Sequence, residues 1–293
     1  MQKIEFIERH TGNLIQEQPP GEGALKFLYQ NPFGKLTLNL LIKRKIVSAI
    51  YGYLMDKPSS KKKIASFVEQ YKINLDETIK NAEEFTSFND FFYRKLKPNA
   101  REIKSGIVSP ADGKILAFNN ASEINKFYVK GEEFTLESFL RDKKLAEEYK
   151  DAKMLIVRLA PNDYHRFHFP ADGIASEINK INGAYFSVSP YALNEGFAKV
   201  FCENKREYTQ LKSEEYGDIL LCPVGATMVG SIIETFEPNK GIKKGDEMGY
   251  FAFGGSSVVV LIKDKNIELA SDLLENTTKG IETFLFMGDS ITK

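Results

Sequence analysis

Four residues from three distant parts of the chain have the types of a nucleophile, a base and an orienting carboxylate. The serine is Ser256, in Phe253-Gly254-Gly255-Ser256-Ser257, ahead of the β-branched run Val258-Val259-Val260-Leu261-Ile262. Two of the chain's three histidines, His165 and His168, lie in Pro161-Asn162-Asp163-Tyr164-His165-Arg166-Phe167-His168-Phe169-Pro170. The carboxylate is Asp112, in Ser109-Pro110-Ala111-Asp112-Gly113-Lys114, a Pro/Gly turn before a strand-like stretch.

The run after Ser257 reads as a buried strand, which makes the glycine-serine segment a kink at the edge of a β core. A serine preceded by a residue without Cβ sits where the backbone bends enough for the hydroxyl to reach the preceding carbonyl. Attack there moves the acyl group from nitrogen to oxygen, and elimination across the serine breaks the chain. The downstream fragment then begins with a pyruvoyl group, a ketone made from the protein itself. Taken alone, Gly-Gly-Ser-Ser is more often a bulge or tight turn; the histidines and Asp112 give it weight. The histidine spacing adds geometry, since positions i and i+3 share a face on a helical turn and oppose each other on a strand. Pro161-Asn162-Asp163 suits the start of such a turn, so both rings are expected to address one cleft. Pro110-Ala111-Asp112-Gly113 recurs as Pro170-Ala171-Asp172-Gly173, which makes Asp172 a rival carboxylate.

From about Phe85 to Ile262 the chain resembles the pyruvoyl-dependent phosphatidylserine decarboxylases. The resemblance is carried by Ser87-Phe88-Asn89-Asp90-Phe91-Phe92, Ser109-Pro110-Ala111-Asp112-Gly113, Lys130-Gly131, Asp163-Tyr164-His165-Arg166-Phe167-His168, Val224-Gly225-Ala226-Thr227-Met228-Val229-Gly230-Ser231-Ile232 and Gly245-Asp246-Glu247-Met248-Gly249. Many members process themselves at Leu-Gly-Ser-Thr, where this chain has Gly254-Gly255-Ser256-Ser257. The shared Gly-Ser pair points to Ser256, with Ser257 as the alternative hydroxyl. The resemblance implies cleavage between Gly255 and Ser256, giving chains 1–255 and 256–293 and a pyruvoyl cofactor from Ser256. It further implies His168 and Asp112 in processing and His165 as the acid in decarboxylation. Phosphatidylserine would join the ketone as a Schiff base and leave as phosphatidylethanolamine and CO2. The conjugated carbonyl would act as the electron sink. Arg166 and Lys130 are candidates for a substrate phosphate or carboxylate, or are solvated cations.

Other classes use the same residue types. A Ser-His-Asp hydrolase expects Gly-x-Ser-x-Gly, and Gly254-Gly255-Ser256-Ser257-Val258 lacks the trailing glycine. A non-catalytic β-rich carrier or phosphotransfer module explains the glycine-rich texture but not the glycine-serine kink. Zero net charge argues against a nucleic-acid partner. Cys202 and Cys222 stand in no metal-ligand or disulfide pattern, so no metal is expected.

At 293 residues with 42% hydrophobic content, the chain has material for a sizeable core. The fold class expected is α+β: a mainly antiparallel β catalytic core over 101–293, with a helical, membrane-associating N-terminal region over 1–100. Two short strands are expected around Thr11-Gly12-Asn13 within 3–18, then helices over 23–71 broken at Pro32, Gly34 and Lys57-Pro58-Ser59-Ser60. Residues 35 to 63 hold eight Lys/Arg (Lys35, Lys43, Arg44, Lys45, Lys57, Lys61, Lys62, Lys63) against Asp56, a net of +7. These alternate with apolar residues, a pattern of either a solvated basic face or attachment to an anionic membrane. With a lipid substrate, peripheral attachment on the cytoplasmic side of the cell membrane is the expectation. No secretory signal is visible, and no apolar stretch approaches the ~20 residues needed to span a bilayer. Strands are expected at Lys114–Phe118, Lys126–Val129, Lys153–Leu159, Gly173–Asn179, Ile219–Cys222, Thr227–Glu234, Met248–Phe253 and Ser257–Ile262. Helices are expected near Thr135–Leu140, Lys143–Tyr149 and Gly196–Glu203.

Overall fold

A computed structural model of the chain describes residues 4–17, 23, 31, 45–127, 133–184, 186–226, 231–252 and 254–293. Its strands in chain order are β1 (Glu5–Glu8), β2 (Leu14–Gln16), β3 (Gly113–Phe118), β4 (Lys153–Leu159), β5 (Arg166–His168), β6 (Gly173–Ala175) and β7 (Asn179–Ile181). They continue as β8 (Arg206–Ser213), β9 (Gly217–Gly225), β10 (Ile232–Glu234), β11 (Gly241–Ile242), β12 (Glu247–Phe251), β13 (Ser256–Ile262) and β14 (Glu282–Leu285). Among the described residues, an eleven-stranded sheet runs β11-β6-β8-β9-β13-β4-β3-β14-β1-β2, with β7 also on β8. A three-stranded sheet, β10-β12-β5, lies beside it. Every ladder is antiparallel except β1 on β14.

The apolar run of β13 explains why this strand sits at the centre. It pairs along its length with β9 on one side and β4 on the other. Strand alternation then sends Val258, Val260 and Ile262 to one face, where they join Phe167, Phe251 and Ile232 of the small sheet. Val259 and Leu261 face the other way, into a layer with Phe139, Leu193, Phe197 and Phe201 from helices Leu136–Leu140 and Pro190–Glu203. Both faces are covered, so no polar residue interrupts the run. Leu261→Ala leaves a cavity between sheet and helices and is expected to lower stability by about 2–5 kcal/mol. Thermal unfolding with Leu261→Met as the volume-matched control checks this.

Local signals place the other elements. Gly12, at φ +72°, closes the turn between β1 and β2. Ser189 caps the helix from Pro190, accepting from the Ala192 amide, with proline at a position where its missing N–H costs nothing. Two expectations are corrected. Lys126–Val129 is not a strand as far as it is described: Asn120 caps a 3₁₀ turn at Ala121–Glu123 that runs into helix Ile124–Phe127, anchored by buried Ile124. The strand expected over Gly173–Asn179 is two short ones, β6 and β7, each laid on a different part of β8.

In the N-terminal region, helices Lys45–Asp56 and Ile64–Tyr71 flank a 3₁₀ turn at Pro58–Lys63. They pack on helix Phe88–Phe92 through Met55, Ile64, Phe85, Phe88, Phe91 and Phe92. Ile50, Tyr53 and Leu54 stay exposed, beside exposed Lys57, Lys61, Lys62 and Lys63. No helix among the described residues is long and apolar enough to cross a membrane. Lys35, Lys43 and Arg44 of the basic segment, and the breaks expected at Pro32 and Gly34, lie outside the described residues.

Candidate active site

Ser256 opens β13, with Gly225 and Leu159 as its cross-strand partners. Just before it, Gly254 has φ +134°, a conformation that a side chain would strain; Phe253 lies outside the described residues. Ser256 and His165 are both 0% exposed, and Ser256 Oγ stands 3.4 Å from His165 Nδ1. The other ring nitrogen, Nε2, is 3.0 Å from the Ala160 carbonyl oxygen. A carbonyl only accepts, so Nε2 carries the proton and the Nδ1 lone pair faces the serine. Phe92 stacks on the ring with centroids 3.8 Å apart. Burial, then the charges of Arg94 and Lys114, pull the His165 pKa down to about 3, so the ring is neutral near pH 7. Ser257 points to the opposite face of the sheet, and its buried hydroxyl has no hydrogen-bond partner among the described residues.

His168 has different partners. Its backbone N–H donates to the Pro110 carbonyl at 2.7 Å, which sets it against the loop that carries Asp112. Nδ1 donates to the Gly245 carbonyl at 3.0 Å, and Nε2 accepts from the Tyr164 hydroxyl at 3.1 Å. Burial lowers the pKa of His168, while the Gly245 bond and the carboxylates of Glu247 and Asp112 oppose that shift. Asp112 itself is gripped by Arg101, with Arg101 NH2 at 2.7 Å and Nε at 3.1 Å, and accepts from the Met287 amide at 2.8 Å.

The helical turn expected around the histidines is therefore corrected. Residues 166–168 form β5, paired with β12, and the alternation of a strand gives the rings separate neighbours. Asp112, His168 and Ser256 do not form one chain of hydrogen bonds. Asp112 is coupled to His168 through space, and His165 is the ring at Ser256. The rival Asp172 is exposed and pairs with Lys243 on the surface. The two Pro-Ala-Asp-Gly loops do lead into strands, β3 and β6. Arg166 is buried and paired with Glu247 at 2.8 Å, which differs from the solvated reading. Lys130, Gly131 and 227–230 lie outside the described residues.

Sequence reasoning missed Phe92, Tyr164, Arg94 and Arg101 as neighbours of the site. Phe92 and Tyr164 stand inside motifs already singled out; Phe92 meets His165 from a distant helix, and Tyr164 meets His168 within its own segment. Among the described residues no group of three or more His, Cys, Asp or Glu is placed to hold a metal ion. Cys222 is a buried thiol, and burial pushes its pKa up.

Comparison with known proteins places this geometry in a family. Residues 88–291 match the sequence profile of phosphatidylserine decarboxylase. A phosphatidylserine decarboxylase proenzyme of Fusobacterium nucleatum is 54% identical over 291 residues, covering 98% of this chain and 97% of that protein. Proteins of the same description from Clostridium tetani and Desulfitobacterium hafniense are 45% and 41% identical, each over at least 98% of this chain and 97% of their own length. With a profile match over 88–291 and identity of this level over almost the whole chain, the chain belongs to the phosphatidylserine decarboxylase family.

Proposed function

We propose that the chain is a proenzyme that cleaves itself between Gly255 and Ser256 and then converts phosphatidylserine to phosphatidylethanolamine and CO2. The observation that carries this reading is a Ser256 hydroxyl shut away from water, next to the free lone pair of a histidine and directly after a flexible glycine pair. In processing, Ser256 Oγ loses its proton and attacks the Gly255 carbonyl carbon. The Gly255–Ser256 C–N bond breaks and an ester forms. Removal of the Ser256 Cα proton then expels Gly255 as a carboxylate, and water releases the nitrogen as ammonia, leaving a ketone on residue 256. That ketone supplies an electron sink for loss of CO2.

Two effects compete over which ring takes the hydroxyl proton. His165 is nearer, but accepting a proton makes it a cation in a fully buried place, beside the Arg94 and Lys114 charges. A pKa near 3 against the ordinary 6.5 corresponds to about 5 kcal/mol of resistance to that charge. His168 lies in the fields of Asp112 and Glu247, which favour its charged form. We therefore assign the processing base to His168 with Asp112, His168 exchanging its Tyr164 bond for the serine. His165 stays at position 256, where the substrate carbon arrives. To act as the acid there, His165 must first take up a proton on Nδ1, the nitrogen that faces position 256, and burial with the nearby cations makes that proton strongly acidic.

The test is denaturing mass measurement of the purified protein. The reading expects two chains, 1–255 and 256–293, the smaller one blocked at its N-terminus and reactive to hydrazines. A single intact chain in an active preparation overturns it, and a fragment beginning with free serine means ordinary proteolysis.

Attachment to an anionic membrane is part of the proposal, supported by exposed Tyr53, Ile50 and Leu54 beside Lys57, Lys61, Lys62 and Lys63. Each basic residue near such a surface contributes ~1 kcal/mol, and salt screens it. Neutralising Lys61, Lys62 and Lys63 together is expected to reduce sedimentation with anionic vesicles, an effect that shrinks as salt rises. Unchanged binding returns the segment to a solvated face.

A further inference from the structure

Four buried or largely buried cations lie near the two histidines and Asp112, and three of them have carboxylate partners. Arg101 pairs with Asp112 at 2.7 Å and Glu77 at 2.8 Å, Lys114 with Asp163 at 2.8 Å, and Arg166 with Glu247 at 2.8 Å. Arg94, 7% exposed, has no carboxylate at ion-pair distance among the described residues. Its only hydrogen bonds there run from NH2 to the carbonyls of Asp163 at 3.3 Å and Asn162 at 3.5 Å, at the long end of the range. Nε and NH1 have no partner among the described residues. A structural arginine in the same fold looks different: Arg206 gives short bonds to the carbonyls of Phe139, Asn204 and Ser138, at 2.5, 2.7 and 3.1 Å.

The place of Arg94 is as telling as its valence. It follows helix Phe88–Phe92, whose last residue stacks on His165, and its bonds reach the loop immediately before His165. Its own carbonyl accepts from Arg166 Nε, and its guanidinium lies 5.2 Å from the centre of the Phe91 ring. Its charge is felt at His165, so it is within electrostatic range of the reacting position. Arg94 feels the carboxylates of Asp112 and Asp163, but these are in contact with Arg101 and Lys114, and burial still weighs against its charge; an incoming anion in direct contact would offset that desolvation.

We infer that Arg94 receives the phosphodiester of the substrate head group. The inference rests on the decarboxylase reading and names which part of the substrate the buried guanidinium holds. The head group offers two anions, a carboxylate and a phosphodiester. The carboxylate leaves as neutral CO2, so clasping it would stabilise the ground state more than the transition state. The phosphodiester keeps its charge throughout, and a guanidinium presents two parallel N–H groups that match phosphate oxygens. Holding it fixes the head group without opposing loss of the carboxylate, which is uniform binding and appears in KM.

The test compares two soluble substrates on the cleaved enzyme: glycerophosphoserine, which carries the phosphodiester, and free serine, which does not. For Arg94→Gln, KM for glycerophosphoserine is expected to rise about 10- to 100-fold with kcat much less affected. Arg94→Lys recovers part of the loss; free serine, which lacks the phosphodiester, keeps its KM in both variants, and any change in its kcat reports the altered charge beside His165. Equal losses on the two substrates, or an unchanged KM, overturn the inference. Mass and hydrazine reactivity are measured first on the same samples, so failure of the pyruvoyl reading is seen separately. If Arg94→Gln does not fold or cleave, the wild-type enzyme carries the test. Inorganic phosphate is then expected to compete with glycerophosphoserine but not with serine, and absence of that competition overturns the inference.

Discussion

Ser256→Ala is expected to remain one chain of 293 residues under denaturing conditions, with decarboxylation at background. The substitution removes the hydroxyl that faces His165, and with it the group that attacks Gly255 and the atoms that become the ketone. Its effect on stability should be small. The hydroxyl's one contact is a long 3.4 Å approach to a histidine, and an ordinary hydrogen bond contributes about 1 kcal/mol net. Folded but uncleaved protein, checked by thermal unfolding, therefore separates lost chemistry from lost structure. Ser257→Ala is the internal control. Its hydroxyl points into the opposite layer and has no hydrogen-bond partner among the described residues, so cleavage should proceed. Blocked cleavage in Ser257→Ala with normal cleavage in Ser256→Ala would move the scissile bond by one residue.

The second large effect divides the histidines. His168→Ala and Asp112→Ala are expected to stay uncleaved, because processing needs a ring that can become a cation and a carboxylate that favours it. Asp112 also anchors Arg101 and the Met287 amide, so Asp112→Asn is the better variant. It keeps the shape and removes the charge. His165→Ala is expected to cleave into two chains yet turn over substrate ~10²–10⁴-fold more slowly, the usual loss when one positioned acid is removed. The measurement is cleavage by mass and turnover by CO2 release, on all four variants. The opposite outcome, an uncleaved His165→Ala and a cleaved His168→Ala, would mean that the 3.4 Å proximity of His165 outweighs the charge around it. A fully active double histidine variant would remove both rings from the mechanism.

Much of the local structure was legible in residue order because local chemistry decides it. The turn at Gly12 and the continuous burial of Val258 to Ile262 each follow from side chains within a few residues of one another, whereas the helix expected near Gly196–Glu203 starts earlier, at Pro190. Strand β8 went unseen because its sequence, Arg206-Glu207-Tyr208-Thr209-Gln210-Leu211-Lys212-Ser213, is mostly polar. It is a strand because β9 and β6 supply its pairing and its polar side chains are buried by distant elements.

The sequence by itself determined the reactive inventory: a serine after two glycines, a histidine pair and an aspartate in a turn, in a pattern that a known family shares. Only the tertiary structure decided how these groups meet. Two adjacent serines are equivalent as letters, and the pleat of β13 turns one toward His165 and the other away. Two Pro-Ala-Asp-Gly turns are likewise equivalent until packing buries Asp112 beside β5 and leaves Asp172 in solvent. The separate surroundings of His165 and His168 come from the pairing of β5 with β12, nearly eighty residues further along. The unpaired charge of Arg94 has the same origin, because which cations find carboxylates depends on contacts between segments far apart in the chain. Such contacts are set by how sheets and loops pack together, and short-range spacing carries no record of them.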